Sequence, residues 1–150
     1  MQDQAQADPF RLQRFVTAQD AHRTFEHALD EITRGAKTSH WMWFIFPQLG
    51  GLGKREMAAT FGISGRDEAQ AYLAHPVLGA RLVQCAEAAL GVTGRTAQQI
   101  FGTTDALKLR SSATLFASVS PPASVFHRLL SRYYDDVPDA RTVSLLHPAR

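Results

Sequence analysis

The chain has 150 residues, of which 45% are hydrophobic and 20% are charged, and its formal net charge is only +2. A chain of this length forms one domain around a single hydrophobic core, and the composition is that of an ordinary globular protein. No run of Lys or Arg exists that would neutralise phosphates, so the sequence carries no clear footprint of nucleic-acid binding. The single cysteine, Cys85, excludes an internal disulfide and a zinc site of the cysteine-rich type.

The N-terminal stretch is polar and acidic, which is unlike a secretory signal peptide. The longest wholly apolar run, Trp41 to Phe46, is far too short to cross a bilayer. We therefore predict a soluble cytoplasmic protein with no membrane partner. We expect a frayed tail over residues 1–7 and a single helical domain over residues 8–150, and the oligomeric state stays open.

In the first part of the chain, apolar spacing and capping residues predict two helices. Asp8-Pro9 is typical of an N-cap followed by Pro at the first helical position. The apolar stripe that starts at Leu12 continues in line to Gln19, which we expect to be partly buried. Asp20 is a plausible cap for the second helix, and Gly35 fits the position that ends it.

The most informative stretch is the aromatic segment, residues 37–53, KTSHWMWFIFPQLGGLG. Ser39 could cap a short helix that Pro47 stops, but the same apolar run could form a buried strand. The helical character of the rest of the chain favours the helix. A loop from Gln48 to Gly53 and a short helix from about Arg55 to Phe61 are expected to follow.

Helix caps and breaks recur every ten to fifteen residues through the rest of the chain, and no hairpin signal such as Asn-Gly occurs. The pattern therefore predicts an all-α, multihelical single domain. The predicted features are a helix from Asp67 to Ala74 opened by Ser64, a break at His75-Pro76, a helical stripe from Leu78 to Ala89, a one-turn helix capped by Thr96 and ending at Gly102, a longer helix capped by Thr104 and running to about Val119, an amphipathic helix around Phe126 to Tyr133, and a last short helix from Ala140 to Leu146.

Four segments together resemble a known family. They are DPFRLQRFVTAQ, GAKTSHWMWFIFPQLGGLG, EAQAYLAHPVLGARL and IFGTTDALKLRSSATLF, and they resemble, in order, the motifs of the domain-of-unknown-function family 1810, whose fold group is known as Rv1873-like. The resemblance covers nearly the whole chain from Asp8 onward. It implies a mostly helical fold and implies no established activity.

The polar edges of the aromatic segment are the first candidates for function. His40, next to Trp41, could act as a general base or, when charged, contact an anion. Lys37 could face the same cavity, Trp41 or Trp43 could offer a stacking face, and Gln48 could position a ligand. The alternative is that the aromatic side chains are simply core, that His40 is hydrogen-bonded at a helix start, and that Lys37 is solvated.

A second candidate is the polar side of the helix that we expect after Thr104. Helical spacing places Lys108, Ser111 and Ser112 on one side of this helix and Arg110 with Thr114 on another. These groups could line a pocket for an anionic group. The alternative is that the hydroxyls return hydrogen bonds to the helix backbone.

Other polar features point less clearly to a ligand. The cationic loop Gly50 to Arg55 fails both the P-loop and the dinucleotide patterns, which leaves a tight turn or an anion cradle as alternatives. Arg81 could reach a phosphate or form a surface ion pair, and His27 with Glu31 looks like a solvated pair. No metal-ligand spacing is present, so we predict no metal and no cofactor.

Two hypotheses follow. The first is a domain that binds or acts on a small anionic, nucleotide-like molecule in a pocket edged by His40 and the Trp41/Trp43 block. His40 would transfer the proton, and the ligand-binding residues would be Lys37, Trp41, Trp43, Gln48, Lys108, Arg110 and Ser111. The second is a structural or protein-interaction domain with no catalytic site. The first hypothesis requires His40, Gln48 and Lys108 to converge on one cavity.

Overall fold

The helices of this chain end where its capping residues and prolines lie, and together they form an all-α fold. The computed structural model describes residues 7–53 and 56–147, and within that range it has no β-strand and no helix long and apolar enough to cross a membrane. The all-α prediction is confirmed. The helices are α1 (Gln13–Asp20), α2 (Thr24–Thr33), α3 (Met42–Ile45), α4 (Glu56–Phe61), α5 (Arg66–Ala74), α6 (Leu78–Gly91), α7 (Ala97–Phe101), α8 (Thr103–Ala117), α9 (Val125–Tyr134) and α10 (Ala140–Leu146).

Two of the predictions fall partly outside these residues. The predicted frayed tail, residues 1–7, lies outside the described part except for Ala7. The predicted helix start at Arg55 and the cationic end of the Gly50 to Arg55 loop also lie outside it, because Lys54 and Arg55 are not described. The described part of that helix, α4, ends at Phe61 as predicted.

Asp8 binds the start of the first helix, but the prediction that Asp8 is its N-cap and Pro9 its first residue is wrong, because Pro9 lies in a turn and Leu12 is the N-cap. Its carboxylate accepts the backbone N–H groups of Leu12 at 2.7 Å and Gln13 at 2.9 Å. The intervening residue Arg11 has a left-handed backbone (φ 54), so residues 8–12 form a turn rather than a first helical turn. The helix α1 therefore starts at Gln13.

The junction between α1 and α2 is held by a contact with a distant part of the chain. The prediction that Asp20 caps the second helix is wrong, because Asp20 ends α1 and its carboxylate lies 2.9 Å from the guanidinium of Arg81. A 3-10 turn, Ala21–Arg23, separates the two helices. At the far end of α2, Gly35 (φ 74) makes the predicted left-handed stop, and its N–H donates to the Ile32 carbonyl at 2.9 Å.

Of the helix caps predicted in the second half of the chain, one is confirmed and two are wrong. Thr96 and Gln99 form a reciprocal capping box at the start of α7. The prediction for Thr104 is wrong, because α8 begins at Thr103 directly after Gly102. The prediction for Ser64 is also wrong, since α5 starts after Gly65 without a side-chain cap.

The core is formed by α8, which is buried from Ser111 to Ala117, and by the apolar stripe of α6 from Leu78 to Ala89, together with the helices around them. A chain of aromatic contacts crosses it from α1 to α9: Phe15 to Tyr72, with ring centres 5.2 Å apart, Tyr72 to Phe116 at 5.4 Å, and Phe116 to Phe126 at 5.5 Å. The hairpin of α5 and α6 is so tight that a side chain at Gly79 would overlap the backbone, because its Cβ would lie 2.1 Å from the Leu73 carbonyl oxygen.

Gln19 is a fully buried polar residue in this core, which extends the prediction of partial burial. Its amide nitrogen donates to the Phe44 carbonyl at 2.7 Å and to the Tyr72 hydroxyl at 3.2 Å. Its amide oxygen accepts from Arg81 at 3.1 Å. Because every polar atom is paired, Gln19 ties α1 to the aromatic segment and to α6 without an unsatisfied group. Arg81 therefore forms an ion pair, which is one of the two roles predicted for it.

Two backbone hydrogen bonds join the start of the Gln48 loop to Ile63, and we call this pair of bonds the backbone neck. The N–H of Ile63 donates to the Gln48 carbonyl at 2.8 Å, and the N–H of Gly50 donates to the Ile63 carbonyl at 2.7 Å. Arg14 holds the Ile63 side of this neck in place, because its guanidinium donates to the Gly62 carbonyl and to the Glu68 carboxylate, each at 3.0 Å. Gln48 therefore has a rigid backbone position.

Candidate functional site

A cleft of about 310 Å³ lies where α3, the Gln48 loop, α8 and the start of α10 meet. We call it the Trp43 cleft. It collects four of the predicted ligand-binding residues from separate elements. The residues that line it are Trp43, Gln48, Leu52, Gly53, Thr104, Leu107, Lys108, Ser111, Asp139 and Arg141.

The ammonium group of Lys108 is the main charge on the α8 wall of the cleft. Its Nζ lies 3.9 Å from the centre of the Trp43 ring, within the range of a cation–π contact, and 3.3 Å from the Asp105 carboxylate. Lys108 thus covers one face of the half-buried indole. Trp43 therefore holds the cation in place on that face, rather than offering the face itself for stacking.

Gln48 supplies to the cleft an amide that has no hydrogen-bond partner among residues 7–53 and 56–147. Its backbone is fixed by the neck to Ile63, and its side chain makes no hydrogen bond to any other described residue. An amide side chain presents a donor and an acceptor side by side. It can therefore pair with a ligand edge that carries both.

The two sides of α8 face different neighbours, as the helical spacing predicts. Lys108 and Ser111 line the cleft, whereas the Nε of Arg110 donates to the Val137 carbonyl at 2.9 Å in the connection between α9 and α10. The hydroxyls of Ser111 and Thr114 donate to the carbonyls four residues earlier, at 3.2 and 2.8 Å. Both hydroxyls therefore form the hydrogen bonds to the helix backbone that were the predicted alternative to a ligand contact. The oxygen of Ser111 also has lone pairs that can accept a hydrogen bond in the cleft.

The two other charged residues of the cleft, Asp139 and Arg141, were not among the predicted ligand-binding residues. The guanidinium of Arg141 donates to the carbonyls of Leu52 at 3.1 Å and Gly51 at 3.3 Å, which fastens the loop to α10. Asp139 caps α10 by accepting the N–H and the hydroxyl of Thr142, at 2.9 and 2.7 Å. The predicted helix start at Ala140 was the available signal, since an Asp directly before it is a typical N-cap.

Trp41 lies in the core and not in the cleft. Its side chain is 1% exposed, its indole N–H donates to the Glu31 carboxylate at 2.9 Å, and its ring meets Phe101 edge-on. Of the two tryptophans only Trp43 lines the cleft, and Lys108 covers one of its faces. Lys37 stands over the Trp41 ring at 4.7 Å and pairs with Asp105 at 2.8 Å, so it too lies behind the cleft wall.

Glu31 organises the turn that delivers these residues. Its buried carboxylate accepts the N–H groups of Thr38 at 2.8 Å and Ser39 at 3.0 Å, the Ser39 hydroxyl at 2.6 Å, and the Trp41 indole. Burial alone would raise the pKa of Glu31, but these hydrogen bonds outweigh it and lower the pKa from 4.5 to about 2. The expectation of a solvated Glu31 is wrong, and so is the expectation that Ser39 caps the next helix.

His40 lies outside the cleft. It is exposed, it makes no hydrogen bond to another described residue, and it does not line the cavity that contains Gln48 and Lys108. The expected convergence is therefore partial, because Gln48 and Lys108 share a cleft and His40 does not join them. Among the described residues, no group of three His, Cys, Asp or Glu side chains is placed to hold a metal ion.

The fold and this cleft define a class: a helical domain with a small cleft, edged by polar groups, beside its aromatic core. The chain belongs to the family described as "Protein of unknown function (DUF1810)", whose model matches residues 9–146. The structure is similar to the crystal structure of the conserved hypothetical protein Rv1873 from Mycobacterium tuberculosis, with a TM-score of 0.90, 47% sequence identity, and coverage of 95% of this chain and 100% of that chain. No curated protein is significantly similar. The predicted family and fold group are confirmed, and neither description names an activity or a ligand.

Proposed function

We propose that this protein binds a small anionic, nucleotide-like molecule in the Trp43 cleft. One observation carries the proposal: four of the residues that the sequence predicts to bind a ligand, Trp43, Gln48, Lys108 and Ser111, line one cavity. Lys108 and Ser111 share one side of α8 through helical spacing. Trp43 and Gln48 are brought to that side by the packing of α3 and of the loop after it.

The chemistry of the cleft suits an anion attached to a planar polar group. Lys108 and Arg141 are cations that can form charge-assisted hydrogen bonds to a carboxylate or phosphate. The Gln48 amide can pair with a donor–acceptor edge such as that of a nucleobase. The volume of about 310 Å³ is near the lower end of the range for ligand pockets, about 300–1,000 Å³, which favours a mononucleotide or smaller over a dinucleotide.

The described residues of the cleft favour binding over catalysis. They include no histidine and no cysteine, and the single carboxylate among them, that of Asp139, is engaged in capping α10. A proton-transfer role for His40 stays a prediction, as does the cytoplasmic location. The proposal is therefore for a binding domain.

The second candidate, a protein-interaction domain, is favoured by a different observation. Leu107 on the rim of the cleft is 57% exposed, so a partner that covers the cleft would also bury this apolar side chain. On this alternative the polar groups of the cleft would bind a peptide rather than a metabolite. The two candidates separate on whether a small molecule alone is bound.

The test is a thermal-shift screen with inorganic phosphate, sugar phosphates, AMP, ADP and ADP-ribose. A ligand at about 100 times its dissociation constant stabilises the protein by about 2.7 kcal/mol, which such a screen detects. Lys108→Met and Gln48→Leu should abolish the shift. Arg128→Met is the matched control, because it also removes one positive charge but from an exposed pair with Glu87.

Two results would contradict the proposal. One is the absence of a shift with every compound of the screen. The other is a shift that is equally large in Lys108→Met and in the wild type, which would place the ligand elsewhere on the molecule.

A further inference from the structure

Asp105 lies directly behind the Trp43 cleft, between two lysines. Its Oδ2 is 2.8 Å from the Nζ of Lys37, and its Oδ1 is 3.3 Å from the Nζ of Lys108. Asp105 itself does not line the cleft. One carboxylate thus serves two ammonium groups, of which only that of Lys108 belongs to the cleft.

The two ion pairs differ in how firmly they are held. The Lys37 side chain is 6% exposed, and it is held from three sides by Asp105, by the Ser39 carbonyl oxygen and by the Trp41 ring. The pairing of Asp105 with Lys37 is therefore internal and fixed.

Lys108 is the more loosely held of the two lysines. Its side chain is 21% exposed and its distance to Asp105 is longer, and its other close contact is the face of the Trp43 ring. Lys108 can therefore leave Asp105 without leaving that carboxylate unpaired, since Lys37 stays in place. A buried charge that loses its only partner is costly, and this arrangement avoids that cost.

We propose that Asp105 is an internal counter-ion which a bound anion replaces on Lys108, while Asp105 keeps its pair with Lys37. This inference rests on the proposed function of the cleft. In the free protein the carboxylate neutralises Lys108 and holds it against Trp43. On binding, the anionic group of the ligand takes the place of Asp105 as the partner of Lys108. Asp105 therefore limits the affinity of the cleft for anions.

The consequence is a substitution that tightens binding. Asp105→Asn alone would leave the buried Lys37 unpaired, so the test uses Lys37→Met/Asp105→Asn, which removes both charges of the internal pair. Partly exposed ion pairs are worth about 0.2–1 kcal/mol, so the double variant should bind about 1.4- to fivefold more tightly than the wild type. The measurement is isothermal titration calorimetry with AMP and with inorganic phosphate.

Two controls isolate the effect. Adding Lys108→Met to the double variant should remove the gain, because the released cation is then absent. Glu87→Gln/Arg128→Met also removes both charges of an ion pair, but of an exposed pair whose charged groups are 2.9 Å apart, and should leave the affinity unchanged. A gain in this variant as large as in Lys37→Met/Asp105→Asn would contradict the inference, because it would not depend on Asp105.

A structure of the wild type with the probe bound gives a readout that does not depend on how well the double variant folds. We expect the Lys108 ammonium to have left ion-pair distance of Asp105, with Lys37 still paired. A bound anion on a Lys108 that still contacts Asp105 would overturn the inference, as would a double variant that binds the probe equally or less tightly. Both results leave the proposed function standing. If neither probe binds the wild type or any variant, the proposed function and the inference fail together.

Discussion

The carboxylate of Glu31 should be one of the main supports of native stability, and this can be tested by replacing it with an amide. Glu31→Gln keeps the size of the side chain but removes the charge and two of the four acceptor positions. In the wild type, four hydrogen bonds converge on this carboxylate from Thr38, Ser39 and Trp41. The glutamine nitrogen would face groups that themselves donate.

The magnitude follows from the pKa. Glu31 titrates at about 2 in the folded protein and near its ordinary value of 4.5 in the unfolded chain. Because a pKa difference of one corresponds to about 1.4 kcal/mol, the charged form stabilises the fold by about 3 kcal/mol at neutral pH. The unfolded chain binds the proton more readily, so this stability is complete above about pH 5 and is lost as the pH falls through 4.5 towards 2.

Urea unfolding of the wild type and of Glu31→Gln between pH 7 and pH 2.5 measures the effect. We expect a loss of about 2–4 kcal/mol in the variant at pH 7, and a difference from the wild type that shrinks steadily below pH 4.5. The matched control is Glu87→Gln, whose carboxylate is exposed and should change little at any pH. A cost that is the same at pH 3 and at pH 7 would refute the argument, because the cost would then not come from the charge.

Three further predictions concern packing and burial. Gly79→Ala should lower the free energy of unfolding in urea by more than about 3 kcal/mol because its Cβ would overlap the Leu73 carbonyl, whereas Gly91→Ala, with open space around it, should be neutral or stabilising by up to about 1 kcal/mol; equal effects would contradict the packing. Arg14→Met, which leaves the buried carboxylate of Glu68 without its cation, should lower the free energy of unfolding by about 3 kcal/mol in the same assay. A loss below about 1 kcal/mol would show that this ion pair is dispensable. Burial raises the pKa of Cys85 to about 12, so the native protein should resist iodoacetamide at pH 8 until it unfolds, and rapid native labelling would show that the thiol is accessible.

The helical architecture could be predicted because its signals are local. Gly35, the break at His75-Pro76 and the Thr96 capping box each act within one turn of the chain, and the structure confirms all three. Two of the cap predictions that failed, those for Asp20 and Ser39, concern side chains with distant partners, whereas those for Thr104 and Ser64 miss the helix start by one or two residues. Asp20 and Ser39 are good caps by type, but Arg81 and Glu31 engage them from other elements, and nothing in the local sequence reveals those partners.

The same limit applies to the candidate site. Trp41 and Trp43 are two residues apart and chemically identical, but one donates to a buried carboxylate and the other stands in a cleft. Lys37 and Lys108 pair with the same carboxylate from opposite directions. Residue type and spacing select these candidates, but they do not reveal that Glu31 holds Trp41 in the core or that Asp105 holds Lys37 behind the cleft wall.

The backbone neck at Gln48 and Ile63 holds the two ends of the chain segment between them side by side. A side chain at Gly62 would lie 2.8 Å from the Gly50 Cα, so the two glycines let the chain cross at contact distance. A larger residue at Gly62 would therefore displace the neck and, with it, the rim of the cleft to which Leu52 belongs.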